Sequence, residues 1–132
     1  MSQVTRVLLL TTEPAIRNIV EQVCLIDGHT TVTAATVEEA HALTAQRGGD
    51  AFALAVIDTA ALGGSDQQQQ QMVLQLWQAW RVTYPDLPLV FVGTMFQNDA
   101  FPSQGANNGG FLRKPFGPFA FADIMRTFLP GR

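Results

Sequence analysis

Short branched-aliphatic runs alternating with amphipathic stretches predict an α/β fold, a parallel sheet of five strands with helices on both faces. Three observations support this. Apolar runs recur at 5–10, 30–34, 53–57, 89–92 and 111–113, separated by segments of helix or loop. No hairpin signal joins one run directly to the next. The middle run, Ala53 to Ile57, shows no polar alternation, the pattern of a central strand covered on both faces.

Each element has its own signal. Thr5 to Leu10 is rich in branched residues and reads as strand one. Ile16, Ile19, Val20 and Val23 fall at i, i+3, i+4 and i+7, with Pro14 near the first turn and Asp27-Gly28 at the end, so helix one lies between. Thr30 to Ala34 is the second strand. Thr36-Val37-Glu38-Glu39 has capping-box spacing and starts the second helix, which Gly48-Gly49 stops. Ala53 to Ile57 is strand three, closed by Asp58. A loop over 59–65 contains Gly63-Gly64, and Asp66 is the expected cap of helix three.

Helix three runs through five consecutive glutamines to Trp80. Glutamine's fair helix propensity makes that run a helix start rather than a functional tract. Trp77 and Trp80 share a face, so one is expected in the core and the other at its edge, open to a partner. Pro85 and Pro88 bracket the turn into strand four, Leu89 to Val92. The segment 97–110 holds Pro102, Gly105, Gly109 and Gly110 and few apolar residues. A short, irregular helix or a loop is expected there. Phe111 to Arg113 is strand five, and Phe121, Ile124, Met125 and Phe128 form the stripe of a last helix.

Bulk composition narrows the function. At 132 residues and 47% apolar content, the chain is expected to form one domain, 1–132, around one core. Lys and Arg total 8, do not cluster, and leave a net charge of −3, which argues against a nucleic-acid surface. No stretch approaches the roughly 20 apolar residues of a membrane span. Cys24 is the single cysteine, so no internal disulfide is possible. It reads as a packed core thiol, and a reducing cytoplasm is the expected home. His29, read in a turn, and His41, on a helix, have no partner at metal-ligand spacing. No Ser/His/Asp or Cys/His set suggests hydrolase chemistry, and an enzyme is not expected.

The informative residues lie at strand ends. Asp58 places a carboxylate at the sheet's carboxyl edge, where open α/β folds bind ligands, and Lys114, after strand five, faces the same crevice. This pairing, with Lys114-Pro115-Phe116, resembles the receiver domain of bacterial two-component response regulators. The resemblance covers nearly the whole chain and implies a flavodoxin-like three-layer sandwich with strand order 2-1-3-4-5. It makes Asp58 the phosphoacceptor and Lys114 a phosphate contact. It makes Thr94 a second phosphate contact, although without a one-residue shift the equivalent position is Gly93. Phe111 falls at the aromatic switch position, where core packing is the preferred reading. Gly63 stands near the family's Pro-Gly turn, with Leu62 at the Pro position, and Gly105-Ala106-Asn107-Asn108 resembles the Gly-Ala-Asp-Asp before strand five.

One departure matters most. Thr11-Thr12-Glu13-Pro14 stands where a working receiver usually reads Asp-Asp-Glu-Pro. Phosphoryl transfer to a carboxylate needs metal and cation to neutralise the phosphoryl oxygens, and magnesium is held by one or two carboxylates plus water and phosphate. Thr11 and Thr12 offer only neutral hydroxyls, so no cofactor is expected. Magnesium would enter only if Glu13 turned inward to join Asp58. Without metal, Asp58 and Lys114 are expected to pair directly. The chain therefore reads as a pseudo-receiver that signals by protein–protein contact, with a histidine kinase, an output domain or a homodimer mate as partner. It carries no output domain, so any signal passes by contact, or the chain is one module of a larger protein. The alternatives are a true regulator phosphorylated at Asp58 and a flavodoxin-like binder with a phosphate at the Thr11-Thr12 turn. Among Phe111, Phe116, Phe119, Phe121 and Phe128, one or two are expected to be exposed as contacts.

Overall fold

The computed structural model describes residues 5–47, 52–94 and 109–129. The elements are β1 (Thr5–Leu10), α1 (Pro14–Ile26), β2 (His29–Ala34), α2 (Val37–Arg47), β3 (Leu54–Asp58), a 3₁₀ turn (Thr59–Leu62), α3 (Asp66–Thr83), β4 (Leu89–Gly93), β5 (Gly109–Arg113) and α4 (Pro118–Phe128). All strand pairs are parallel, in the order β2-β1-β3-β4-β5. The expected sheet and strand order are therefore present.

The unalternating strands are explained by two cores. Leu8, Leu10, Ala55, Ile57, Leu89 and Phe91 point to one face, where Val73, Leu76, Trp77 and Trp80 of α3 cover them. Val7, Leu9, Leu54, Val56, Val90 and Val92 point to the other, against Ile16, Val20, Val23 and Cys24 of α1 and Phe121 and Met125 of α4. Successive strand residues thus serve opposite layers, and none can be polar. Cys24 is buried with its Sγ 3.8 Å from Met125 Sδ, and burial pushes its thiol pKa up, as suits a packed rather than reactive cysteine.

Helix starts follow local chemistry. Thr36 accepts from the Glu39 N–H while the Glu39 carboxylate accepts from the Ala35 N–H, the reciprocal cap that the spacing predicted. The cap of α3 is Ser65, not Asp66. Ser65 and Gln68 form a complete capping box, which satisfies two backbone N–H groups where Asp66 alone would satisfy one. Both tryptophans are buried, which corrects the expectation of an edge position. Trp80 packs edge-on between His41 and Tyr84, and the Arg81 guanidinium lies 5.0 Å over the Trp77 ring and covers it. His29 opens β2 rather than lying in a turn, and Gly28 supplies the positive φ of 86° before it. The expected helix or loop at 97–110 falls, up to residue 108, outside the described residues, as do Gly48-Gly49 and the 105–108 motif.

Candidate functional site

Register brings the strand-end residues together. Leu10 pairs with Ile57, so Thr11 leaves β1 level with Asp58 at the end of β3. Asp58 pairs with Val92, Gly93 pairs with Arg113, and the Lys114 N–H donates to the Gly93 carbonyl at 2.8 Å. Four consecutive positions of the sheet's carboxyl edge therefore hold Thr11, Asp58, Gly93 and Lys114.

Both oxygens of Asp58 are taken. The Thr11 hydroxyl donates to Oδ2 at 2.7 Å. Oδ1 lies 2.7 Å from Lys114 Nζ and accepts from the Ala60 N–H at 3.1 Å. Thr11 cannot easily turn away, because its Oγ1 also accepts from the Glu13 N–H at 3.1 Å. Glu13 turns inward to the ammonium, with Oε1 2.7 Å from Lys114 Nζ. The Asp58 side chain is 0% exposed, that of Lys114 15% and that of Glu13 46%. Burial pushes the Lys114 pKa down, but its hydrogen bonds to Asp58 and Glu13, with their charges, outweigh this and hold it above the ordinary value. One cation thus serves two carboxylates.

The remaining expected site residues lie further out. Thr12 is exposed and lines an adjoining polar cleft of about 380 Å³ with Arg17, Thr33 and Glu39. Thr94 is exposed just beyond β4, so the position beside Val92 and Asp58 is Gly93. Phe111 is half-buried against the α3-side core, which favours packing over a free switch. A residue missed from the sequence is Thr59. It is buried after Asp58, and a Cβ placed on Gly93 would overlap its Oγ1. The Thr59 hydroxyl fills the space that a side chain at 93 would need. No local pattern signals this, because it depends on a strand neighbour 34 positions away.

A receiver-type magnesium ion does not fit these residues. Its oxygen ligands would be Asp58, Glu13 and Thr11, but the Lys114 ammonium already lies between the two carboxylates and the Thr11 hydroxyl is committed to Asp58. No group of three His, Cys, Asp or Glu side chains suited to a metal occurs among the described residues.

Known structures share this fold. Vibrio cholerae chemotaxis protein CheY4 aligns with TM-score 0.69 and 19% identity over 96% of this chain and 100% of that one. A response regulator from Thermotoga maritima aligns with TM-score 0.73 and 12% identity, covering 96% and 98%. HP1043, an orphan response regulator of H. pylori, aligns with TM-score 0.69 and 15% identity, covering 95% and 97%. The chain has the CheY-like fold of response-regulator receiver domains. No protein-family model and no curated protein matches the sequence.

Proposed function

We propose that this protein is a receiver-type signalling module that works by protein–protein contact and lacks an efficient magnesium-dependent phosphoryl switch. It is not an enzyme in this reading, its partner is another protein, and it acts in the cytoplasm. The observation that carries the proposal is the closed state of Asp58. A carboxylate that accepts a phosphoryl group must present a free oxygen in line with the donor, beside a metal that offsets charge. Here one oxygen is held by Thr11 and the other by Lys114, and Glu13, the one other acid at this crevice among the described residues, is itself paired with Lys114. The flavodoxin-like alternative gains nothing from the geometry. Glu13 stands at the N-cap position of α1 without a side-chain cap bond and Pro14 removes an N–H from its first turn, so a phosphate there would meet a nearby carboxylate and one donor fewer.

Magnesium with beryllofluoride, a phosphoryl mimic, tests the proposal by amide NMR. The expected spectrum shows no shifts at Thr11, Asp58, Gly93 or Lys114. Saturable shifts at those amides, absent in Asp58→Asn, would contradict it and favour the phosphorylated alternative.

A further inference from the structure

The polar cleft beside the crevice has no role in the Asp58 cluster. It lies at the carboxyl ends of β1 and β2, between the first turns of α1 and α2. Its volume of about 380 Å³ falls within the roughly 300–1,000 Å³ of small-molecule sites, and the carboxyl edge of a parallel sheet is where such sites form. Thr12, Glu13, Arg17, Thr33 and Glu39 supply its polar groups.

Structural duties explain part of this set and leave the rest free. Glu39 Oε1 accepts from the Ala35 N–H at the start of α2, and Glu13 Oε1 holds Lys114. The Oε2 atom of each carboxylate has no such duty. Arg17 enters no ion pair among the described residues, although Glu13 precedes it by one helical turn. Thr33 Oγ1 is buried without a hydrogen-bond partner. His29 and Thr31 of the same strand carry similar atoms, but only Thr33 lines the cleft. Buried hydroxyls are normally paired, so an orphan at the cleft wall marks a place for a ligand's polar group.

The charge pattern selects the ligand. A simple anion would meet Glu13 and Glu39, and a simple cation would meet Arg17. A molecule that carries both charges a few bonds apart satisfies all three. We propose that this cleft binds a small zwitterion of the α-amino-acid class, with its carboxylate on Arg17 and its ammonium between Glu13 and Glu39. The guanidinium fork matches a carboxylate, and the three ammonium protons match carboxylate oxygens. The Thr12 and Thr33 hydroxyls, which both donate and accept, take what remains. The site joins α1 to α2, so its occupancy is sensed at two helix starts on the crevice side of the sheet.

This inference goes beyond the contact-based reading above and does not depend on whether Asp58 is phosphorylated. Amide NMR titration at neutral pH with L-alanine and with L-glutamine, each to about 20 mM so that millimolar affinity is readable, is the test. Saturable shifts are expected at the amides of Thr12, Arg17, Thr33 and Ala35. Acetate and methylammonium, each carrying one of the two charges, are expected to bind at least tenfold more weakly. Arg17→Gln and Glu39→Gln are expected to weaken amino-acid binding at least tenfold with unchanged circular dichroism. Glutamine at position 39 keeps the capping box and removes only the charge. Asp123→Asn, which removes an exposed acid on α4, is expected to leave binding unchanged. The absence of saturable shifts with either amino acid would overturn the proposal. Equal binding of acetate or methylammonium, or binding that survives both cleft substitutions, would overturn it as well.

Discussion

Two ion-paired clusters clamp the ends of α1; each holds a buried carboxylate, and they differ in how far the cation is buried. Before α1, Glu13 reaches across 101 positions to Lys114, which also holds the fully buried Asp58. After α1, Asp27 reaches across 99 positions to Arg126, whose guanidinium binds both carboxylate oxygens at 2.8 Å. The second cluster is one bidentate pair with a half-exposed cation, and it acts as a clamp. The first takes a carboxylate wholly out of water and satisfies it with a hydroxyl, an ammonium and a backbone N–H. Removing either partner of the first cluster leaves a mostly buried charge, whereas removing the buried Asp27 returns a half-exposed Arg126 to solvent. Burial, more than the number of bonds, decides which cluster resists rearrangement.

That contrast is broken most severely at Lys114. Lys114→Met leaves the Asp58 carboxylate with only Thr11 and Ala60 as partners and is expected to cost about 3–5 kcal/mol in urea unfolding. The wild-type pair also has a pH signature. The raised Lys114 pKa adds stability that is complete below the unfolded value of about 10.4 and is lost as pH rises through the folded value. Lys114→Met should abolish this alkaline loss. Asp58→Asn keeps the shape but removes the charge facing Lys114, and about 1–3 kcal/mol of destabilisation is expected. A stabilised Asp58→Asn would mean that repulsion, not pairing, governs the crevice.

A comparable effect is expected where Thr59 fills the space beside Gly93. Gly93→Ala should destabilise by about 1–3 kcal/mol through overpacking, and Thr59→Ala should relieve most of that cost in the double variant. Additive losses would show that the two positions do not compete for space. The smallest effect is expected at the Asp27–Arg126 clamp, whose cation is half-exposed. Hydrogen bonding to Arg126 holds the Asp27 pKa below the usual carboxylate value. Its contribution is present above the unfolded value of about 3.9 and is lost as pH falls toward the folded one. Asp27→Asn should therefore flatten the acid limb of a stability–pH curve and leave the alkaline limb unchanged.

Much of this was legible in the sequence because it depends on short-range pattern. The apolar run ending at Asp58, the stripe from Ile16 to Val23 and the Thr36–Glu39 box each signal an element within a few residues, and Lys114 reaches Asp58 because parallel strands align their ends. The cap of α3 was misread although Ser65 and Gln68 have box spacing, because the neighbouring Asp66 offers a competing cap. The burial of both tryptophans was not legible, since it depends on His41 and Arg81 closing over rings that helical spacing alone leaves at an edge. Thr59 was hidden for a similar reason. Its role arises only where β4 lies beside β3 with a glycine at that level.

Asp58, held by Thr11 and Lys114, is proposed to be an inefficient phosphoacceptor. Intact mass after incubation with acetyl phosphate and magnesium, beside Asp58→Asn, tests it most directly. No adduct is expected under conditions that label an active receiver in parallel. A gain of about 80 Da, the mass of a phosphoryl group, in the wild-type chain and not in the variant would contradict it.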